Sequence, residues 1–179
     1  YRKLSRGPQI IIPKDIGAII TETGIGKNSV VLDAGGGTGA LCLFLANLCK
    51  KAITYEIRED FAKLIAKNKA LLGIKNLAIK NKDITAGIAE KNIDVIILAL
   101  PEPHKAIPAA SKALKSGGFL VSYSPSIAQV ALFISAIQSS KLFNQVKTKE
   151  VIERDWVIDE QRTRPVHQML AHTGFLTFC

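Results

Sequence analysis

Ser29-Val-Val-Leu-Asp-Ala-Gly-Gly-Gly-Thr-Gly39, running on into Ala40-Leu-Cys-Leu-Phe-Leu45, decides the fold. The apolar run Val30-Val31-Leu32 reads as a buried parallel strand, closed by Asp33. Gly35, Gly37 and Gly39, with Thr38 among them, form a turn in which no Cβ blocks a ligand and positive φ costs little. The apolar face Leu41, Phe44, Leu45 and Leu48 predicts a helix from Ala40 to about Lys50. The free backbone N–H groups at its start then point back into the turn, as in nucleotide-binding strand–turn–helix units. The spacing is D-x-G-x-G-x-G, neither the G-x-G-x-x-G of dinucleotide enzymes nor a phosphate loop, and no Lys follows to meet a phosphate. An acid just before the glycines repels a pyrophosphate and suits an ammonium. The ligand this favours has an amino-acid end and an adenosine end: S-adenosyl-L-methionine.

Working outward, apolar runs at 52–56, 77–80, 93–98 and 119–123 predict four more strands. Helical patterns at 58–72, 105–114 and 127–138 alternate with them, and a first helix begins at Lys14 or Asp15 and stops near Gly24. A short helix is expected over 84–90, a sixth strand over 143–152, a long polar loop over 153–165 and a last strand over 175–178. The class is therefore α/β, a mostly parallel sheet with helices on both faces. In such a sheet the ligand lies beyond the carboxyl ends of the strands. Three successive strand ends carry Asp33, Glu56 and Asp83. Glu56 suits the two ribose hydroxyls, and Asp83 suits an adenine amino group.

With 179 residues the chain is expected to be one domain, 1–179, with a basic, extended lead-in over 1–13. A net charge of +9 points to a polyanionic partner, nucleic acid before membrane. No apolar run reaches the roughly 18 residues of a membrane span, and no signal peptide opens the chain. Cys42, Cys49 and Cys179 form neither a metal spacing nor a disulfide framework, so no metal is expected, and reduced thiols suit the cytoplasm.

The fourth strand end should hold the chemistry, and it reads Ala99-Leu-Pro-Glu-Pro-His104. This is not the Asn/Asp-Pro-Pro-aromatic run of enzymes that methylate exocyclic amino groups. A nucleophile that already carries a lone pair, such as a ring nitrogen, needs less: orientation, in-line approach and stabilisation of the cation formed.

Five further segments carry a resemblance. Gly7-Pro-Gln-Ile-Ile-Ile-Pro-Lys-Asp15, Tyr55-Glu-Ile-Arg-Glu-Asp60, Leu100-Pro-Glu-Pro103, Tyr123-Ser-Pro-Ser-Ile-Ala-Gln-Val130 and His172-Thr-Gly-Phe-Leu176 together resemble the tRNA (adenine-N1)-methyltransferases that modify the T loop. The resemblance runs nearly the whole length and implies a class I, Rossmann-like methyltransferase fold with a seven-stranded sheet, S-adenosyl-L-methionine as donor, tRNA as partner and a homotetramer. It implies a donor site lined by Gly35, Gly37, Thr38, Gly39, Ala40, Leu41, Glu56 and Asp83, with Gln9 and the Tyr123-Ser124-Pro125 turn near the reaction centre. His172 and Thr173 would shape the target pocket, and Arg164 is a candidate for tRNA phosphate.

The sequence departs from that family in three places. The family's small N-terminal domain, mostly β, is not in this sequence. His104 stands where the family motif Asp-x-Pro-x-Pro-Trp has tryptophan, and Ala99 stands where it has the aspartate that contacts donor and adenine. Glu102, three residues on, is the nearest carboxyl that could take its place. Three readings stay open: an active tRNA enzyme, an inactive donor- and tRNA-binding relative or non-catalytic subunit, and a small-molecule methyltransferase of the corrin type.

Overall fold

The computed structural model describes residues 10–144 and 146–179. The run that opened the sequence reading forms β1 (Val30–Ala34) at the middle of a seven-stranded sheet. On one side lie β2 (Lys51–Tyr55) and β3 (Leu77–Lys80). On the other lie β4 (Ile93–Leu98), β5 (Leu114–Ser124), β9 (Phe175–Phe178) and β6 (Lys147–Glu150). The order is β3-β2-β1-β4-β5-β9-β6, and β9 alone runs against the rest, pairing antiparallel with both neighbours. Consecutive strands β1 and β2 move one way across the sheet and β4 starts the other way. The crevice is therefore at the carboxyl ends of β1 and β4.

Period-2 alternation assigns each face. Val31, Val95 and Ile97 face a core with α1 (Pro13–Thr23), α2 (Ala40–Ala46) and α3 (Glu59–Leu71), through Ile16, Ile19, Leu41, Leu45 and Ile65. Leu32, Ile96 and Leu98 face the other core, with α4 (Ile107–Ala113) and α5 (Ile127–Ser140), through Ile107, Ala110, Phe133 and Ile137. Pro13 opens α1, where its missing N–H costs nothing, and Gly24 closes it in the left-handed region at φ 66°.

The structure differs from the sequence expectation in several elements. The helix after the glycines stops at Ala46 rather than Lys50, because Asn47 and Leu48 tighten into i→i−3 bonds and Asn76 Nδ2 takes the Ala46 and Cys49 carbonyls. The expected helix over 84–90 is a single 3₁₀ turn, Ile84–Ala86, and β6 is only four residues long. The helix expected to run to Leu114 ends at Ala113, and the Gly117-Gly118 pair lies inside β5. The expected long loop over 153–165 holds a hairpin, β7 (Trp156–Ile158) with β8 (Thr163–Pro165), closed by mutual backbone bonds between Asp159 and Arg162. Three-residue strands are too short for alternation to register, and Trp156 lies exposed on β7.

Phe133 is the largest fully buried side chain. Phe133→Ala should lower unfolding free energy by about 3–5 kcal/mol in urea titrations. A loss below ~1 kcal/mol would show that α5 does not seal that core.

Candidate active site

The glycine turn is fixed from two sides. Gly35 N and Gly36 N both donate to Tyr55 O of β2, at 2.9 and 3.3 Å. Gly35 has φ +85°, and a Cβ there would lie 2.2 Å from the Ala99 carbonyl oxygen. The turn after β1 thus lies directly against the end of β4, with no room for a side chain.

Two clefts open on either side of this contact. The first, of about 580 Å³, is lined by Glu56, Ile57, Asp83 and Glu102 among others. The second, of about 720 Å³, is lined by Ile10, Ile11, Ile12, Tyr123, Pro125, His172 and Thr173 among others. They share Gly35, Ala99, Leu100 and Pro101. The shared wall carries no ionisable side chain.

In the first cleft, Glu56 Oε2 accepts from Gly37 N at 2.7 Å and Oε1 from Arg58 N at 2.8 Å. Asp83 Oδ1 accepts from Thr85 N and Thr85 Oγ1 at 2.8 and 2.7 Å, and these bonds hold its carboxyl below the usual range. Its Oδ2 makes no hydrogen bond among the described residues. Glu102 sits exposed on the rim, paired with Lys105 at 2.7 Å, which lowers its pKa.

In the second cleft, Tyr123 Oη donates to Thr173 O at 2.8 Å. His172 lies with Nδ1 2.6 Å from Glu150 Oε1 and Nε2 2.9 Å from Pro125 O. Thr173 Oγ1 donates to Asp15 Oδ2 at 2.9 Å and accepts from Lys14 Nζ at 2.7 Å. Lys14 and Asp15 form a buried ion pair at 2.9 Å, and Lys14 also donates to Val151 O at 2.6 Å. The sequence placed this Lys-Asp pair at the start of a helix and within the segment 7–15 that carries the resemblance. Its contacts were not visible there, because its partners lie some 137 to 159 residues away. Gln129 was also missed. It lines the cleft and donates from Nε2 to Pro101 O at 3.1 Å.

Several expected residues lie elsewhere. Gln9 falls outside the described residues. Asp33 is buried behind the turn and lines neither cleft. Among the described residues its Oδ2 and the Thr54 Oγ1 have no hydrogen-bond partner, and burial, with Glu56 adding repulsion, pushes its pKa up to about 7. Gly37, Thr38, Gly39, Ala40 and Leu41 continue into α2 without bordering either cleft; the last two are core residues, and Thr38 O is held by Asn68 Nδ2. Ser124 is buried against the Ser122 hydroxyl at 3.1 Å, because β5 alternation turns it away from the cleft that Tyr123 faces. Arg164 lies on β8, with Nη1 on Pro165 O, outside both clefts. Among the described residues no three His, Cys, Asp or Glu side chains gather as a metal site, and no helix is long and apolar enough to cross a membrane.

Residues 2–164 match the family described as the tRNA methyltransferase complex GCD14 subunit. The chain is 34% identical to the tRNA (adenine(57)-N(1)/adenine(58)-N(1))-methyltransferase TrmI of Methanocaldococcus jannaschii, over 98% of this chain and 73% of that one. Among solved structures, a SAM-dependent O-methyltransferase from Thermotoga maritima superposes with a TM-score of 0.91 at 33% identity, over 96% of this chain and 66% of that one. The tRNA (m1A58) methyltransferase TrmI from Aquifex aeolicus does so with a TM-score of 0.91 at 28% identity, over 98% and 71%. The fold is thus the Rossmann-like one of class I methyltransferases, and the chain spans 66% to 73% of these proteins' lengths.

The buried Asp33 makes stability depend on pH. Its proton is held to about pH 7 in the folded chain, against an ordinary aspartate value of 3.8. Between those values the folded state binds the extra proton, so stability falls as pH rises through that window. Asp33→Asn keeps an acceptor for the Cys42 N–H and removes the ionisable group. Calorimetry across this window should show a steeper fall in melting temperature for the wild type than for the variant, with the variant the more stable at neutral pH. Parallel curves would show that Asp33 ionises as it does unfolded.

Proposed function

The chain belongs to the family of the tRNA methyltransferase complex GCD14 subunit, and we propose that it transfers a methyl group from S-adenosyl-L-methionine to N1 of a T-loop adenine in tRNA. The observation that carries this reading is the pair of clefts meeting at Gly35 and Ala99. One suits the donor and the other the flipped-out base. The names of the relatives support it, and the family match favours it over a corrin-type small-molecule enzyme. The net charge of +9 suits a tRNA backbone. We extend the reading to self-association and to a cytoplasmic setting, the latter supported by three free cysteines.

The first cleft fits the donor. Glu56 presents acceptors for ribose hydroxyls, Asp83 keeps Oδ2 for an adenine amino group, and the Gly35 turn leaves its floor bare of side chain. When bound, the donor supplies a methyl group on a cationic sulfur. Adenine N1 has a lone pair and no proton to lose, so a shared wall without a general base is sufficient. The N1–carbon bond forms as the sulfur–carbon bond breaks, and the positive charge passes to the base. The chain's part is then orientation and exclusion of water by Leu100, Pro101 and the Ile10–Ile12 segment. Charge stabilisation is weak, because Ala99 offers only a methyl group and Glu102 is already paired with Lys105.

The test is transfer of a labelled methyl group to unmodified tRNA, with 1-methyladenine as product. Ala99→Asp should raise kcat by about 10- to 100-fold, because a carboxylate would then face the developing cation. No product from either form would reject the enzyme reading. Ala99 also favours a second reading, donor and tRNA binding without turnover, and binding of both by a silent chain would support it. Gly35→Ala should weaken S-adenosylhomocysteine binding about tenfold or more by titration calorimetry, since the added Cβ collides with the Ala99 carbonyl. Unchanged affinity would place the donor elsewhere.

A further inference from the structure

We propose that His172 is a positioning residue whose ring, protonated at both nitrogens, clasps shut the wall of the base-binding cleft. This rests on the reading of the second cleft as the acceptor site. The geometry requires the charge. Nε2 faces the Pro125 carbonyl at 2.9 Å, and a carbonyl only accepts. Nδ1 faces the Glu150 carboxylate at 2.6 Å, which also only accepts. A neutral imidazole has one N–H, so it would set one lone pair against another.

The clasp joins three segments: the lead into β9, the turn after β5 and the end of β6. Pro125, His172 and Thr173 all line the cleft. The same lead is packed tightly at Gly174, where a Cβ would lie 2.7 Å from Tyr123 Cζ. Glu150 and the Pro125 carbonyl raise the pKa of His172, Lys14 on α1 opposes them, and the Phe175 ring lies 4.9 Å away, tilted. The clasp is complete below that raised pKa and is lost as pH rises through it.

Glu150→Gln separates charge from contact. The glutamine amide can donate to a neutral Nδ1 while Nε2–H still donates to Pro125 O, so the clasp survives without the extra proton. Three measurements on the full chain test the assignment. Imidazole NMR titration should place the His172 midpoint above the ordinary imidazole value of 6.5, and Glu150→Gln should lower it. Binding of unmodified tRNA at fixed salt should weaken by about tenfold as pH rises through the wild-type midpoint, and the Glu150→Gln curve should lack that step. S-adenosylhomocysteine affinity should show no step in either protein. A His172 midpoint no higher than the ordinary imidazole value, or the same tRNA step in both proteins, overturns the proposal. If no tRNA binds at any pH, the functional reading fails, and hydrogen exchange at 172–175 decides the clasp. A rise in the wild-type to Glu150→Gln exchange ratio above the midpoint sustains it, and a constant ratio overturns it.

Discussion

The site depends on one close approach of backbone to backbone. Gly35 lies so near the carbonyl of Ala99 that a single added carbon would sit 2.2 Å from its oxygen. The sheet imposes this contact. β1 and β4 are neighbours, Ala34 pairs with Leu98, and Ala99 N donates to Ala34 O at 2.9 Å. The turn after β1 must then leave across the end of β4. Because nothing projects from Gly35, the wall shared by the two clefts is backbone together with the side chains of Ala99, Leu100 and Pro101.

The acids around that contact divide the work between building and binding. Glu56 holds the glycine turn by accepting from Gly37 N, and it lines the first cleft. Its charge also raises the cost of ionising Asp33 behind the turn. Asp33 keeps one oxygen without a hydrogen bond in a fully buried place, a cost of about 1–3 kcal/mol. Thr54, its register partner on β2, has an orphan hydroxyl beside the same turn. Thr54 Oγ1 also occupies the space that any side chain at Gly36 would need. The floor of the turn is thus packed to fit glycines above it, and polar satisfaction is sacrificed there.

Much of this was legible in the sequence because it is local. The order of strands and helices, the glycine turn and the three acids at three strand ends follow from apolar periodicity and spacing. Side-chain direction at a strand end did not. Asp33 and Ser124 occupy expected positions, yet the pleat turns both into the interior, and that depends on where the strand stops. The β7–β8 hairpin was read as a loop, since its alternation spans only three residues on each side and its surface is polar. The contacts of Lys14 and Asp15, residues of the segment that carried the resemblance, were illegible for a different reason. Their meaning lies in Val151 and Thr173, which no local window contains.

That difference in range separates the two clefts physically. The first is built from residues between Gly35 and Lys105, at the ends of β1, β2, β3 and β4 and in the segments that follow them, a contiguous stretch of chain. The second needs Ile10–Ile12 from one end of the described chain and His172–Thr173 from the other. These ends are held together by Lys14 and Asp15, whose burial is unfavourable unless every donor and acceptor finds a partner. Here Asp15, Val151 O and Thr173 Oγ1 use all three Lys14 protons. A disturbance at either end therefore reaches the second cleft directly and the first only through the wall they share. The first cleft is thus built locally, and the second depends on contacts between residues far apart in the chain.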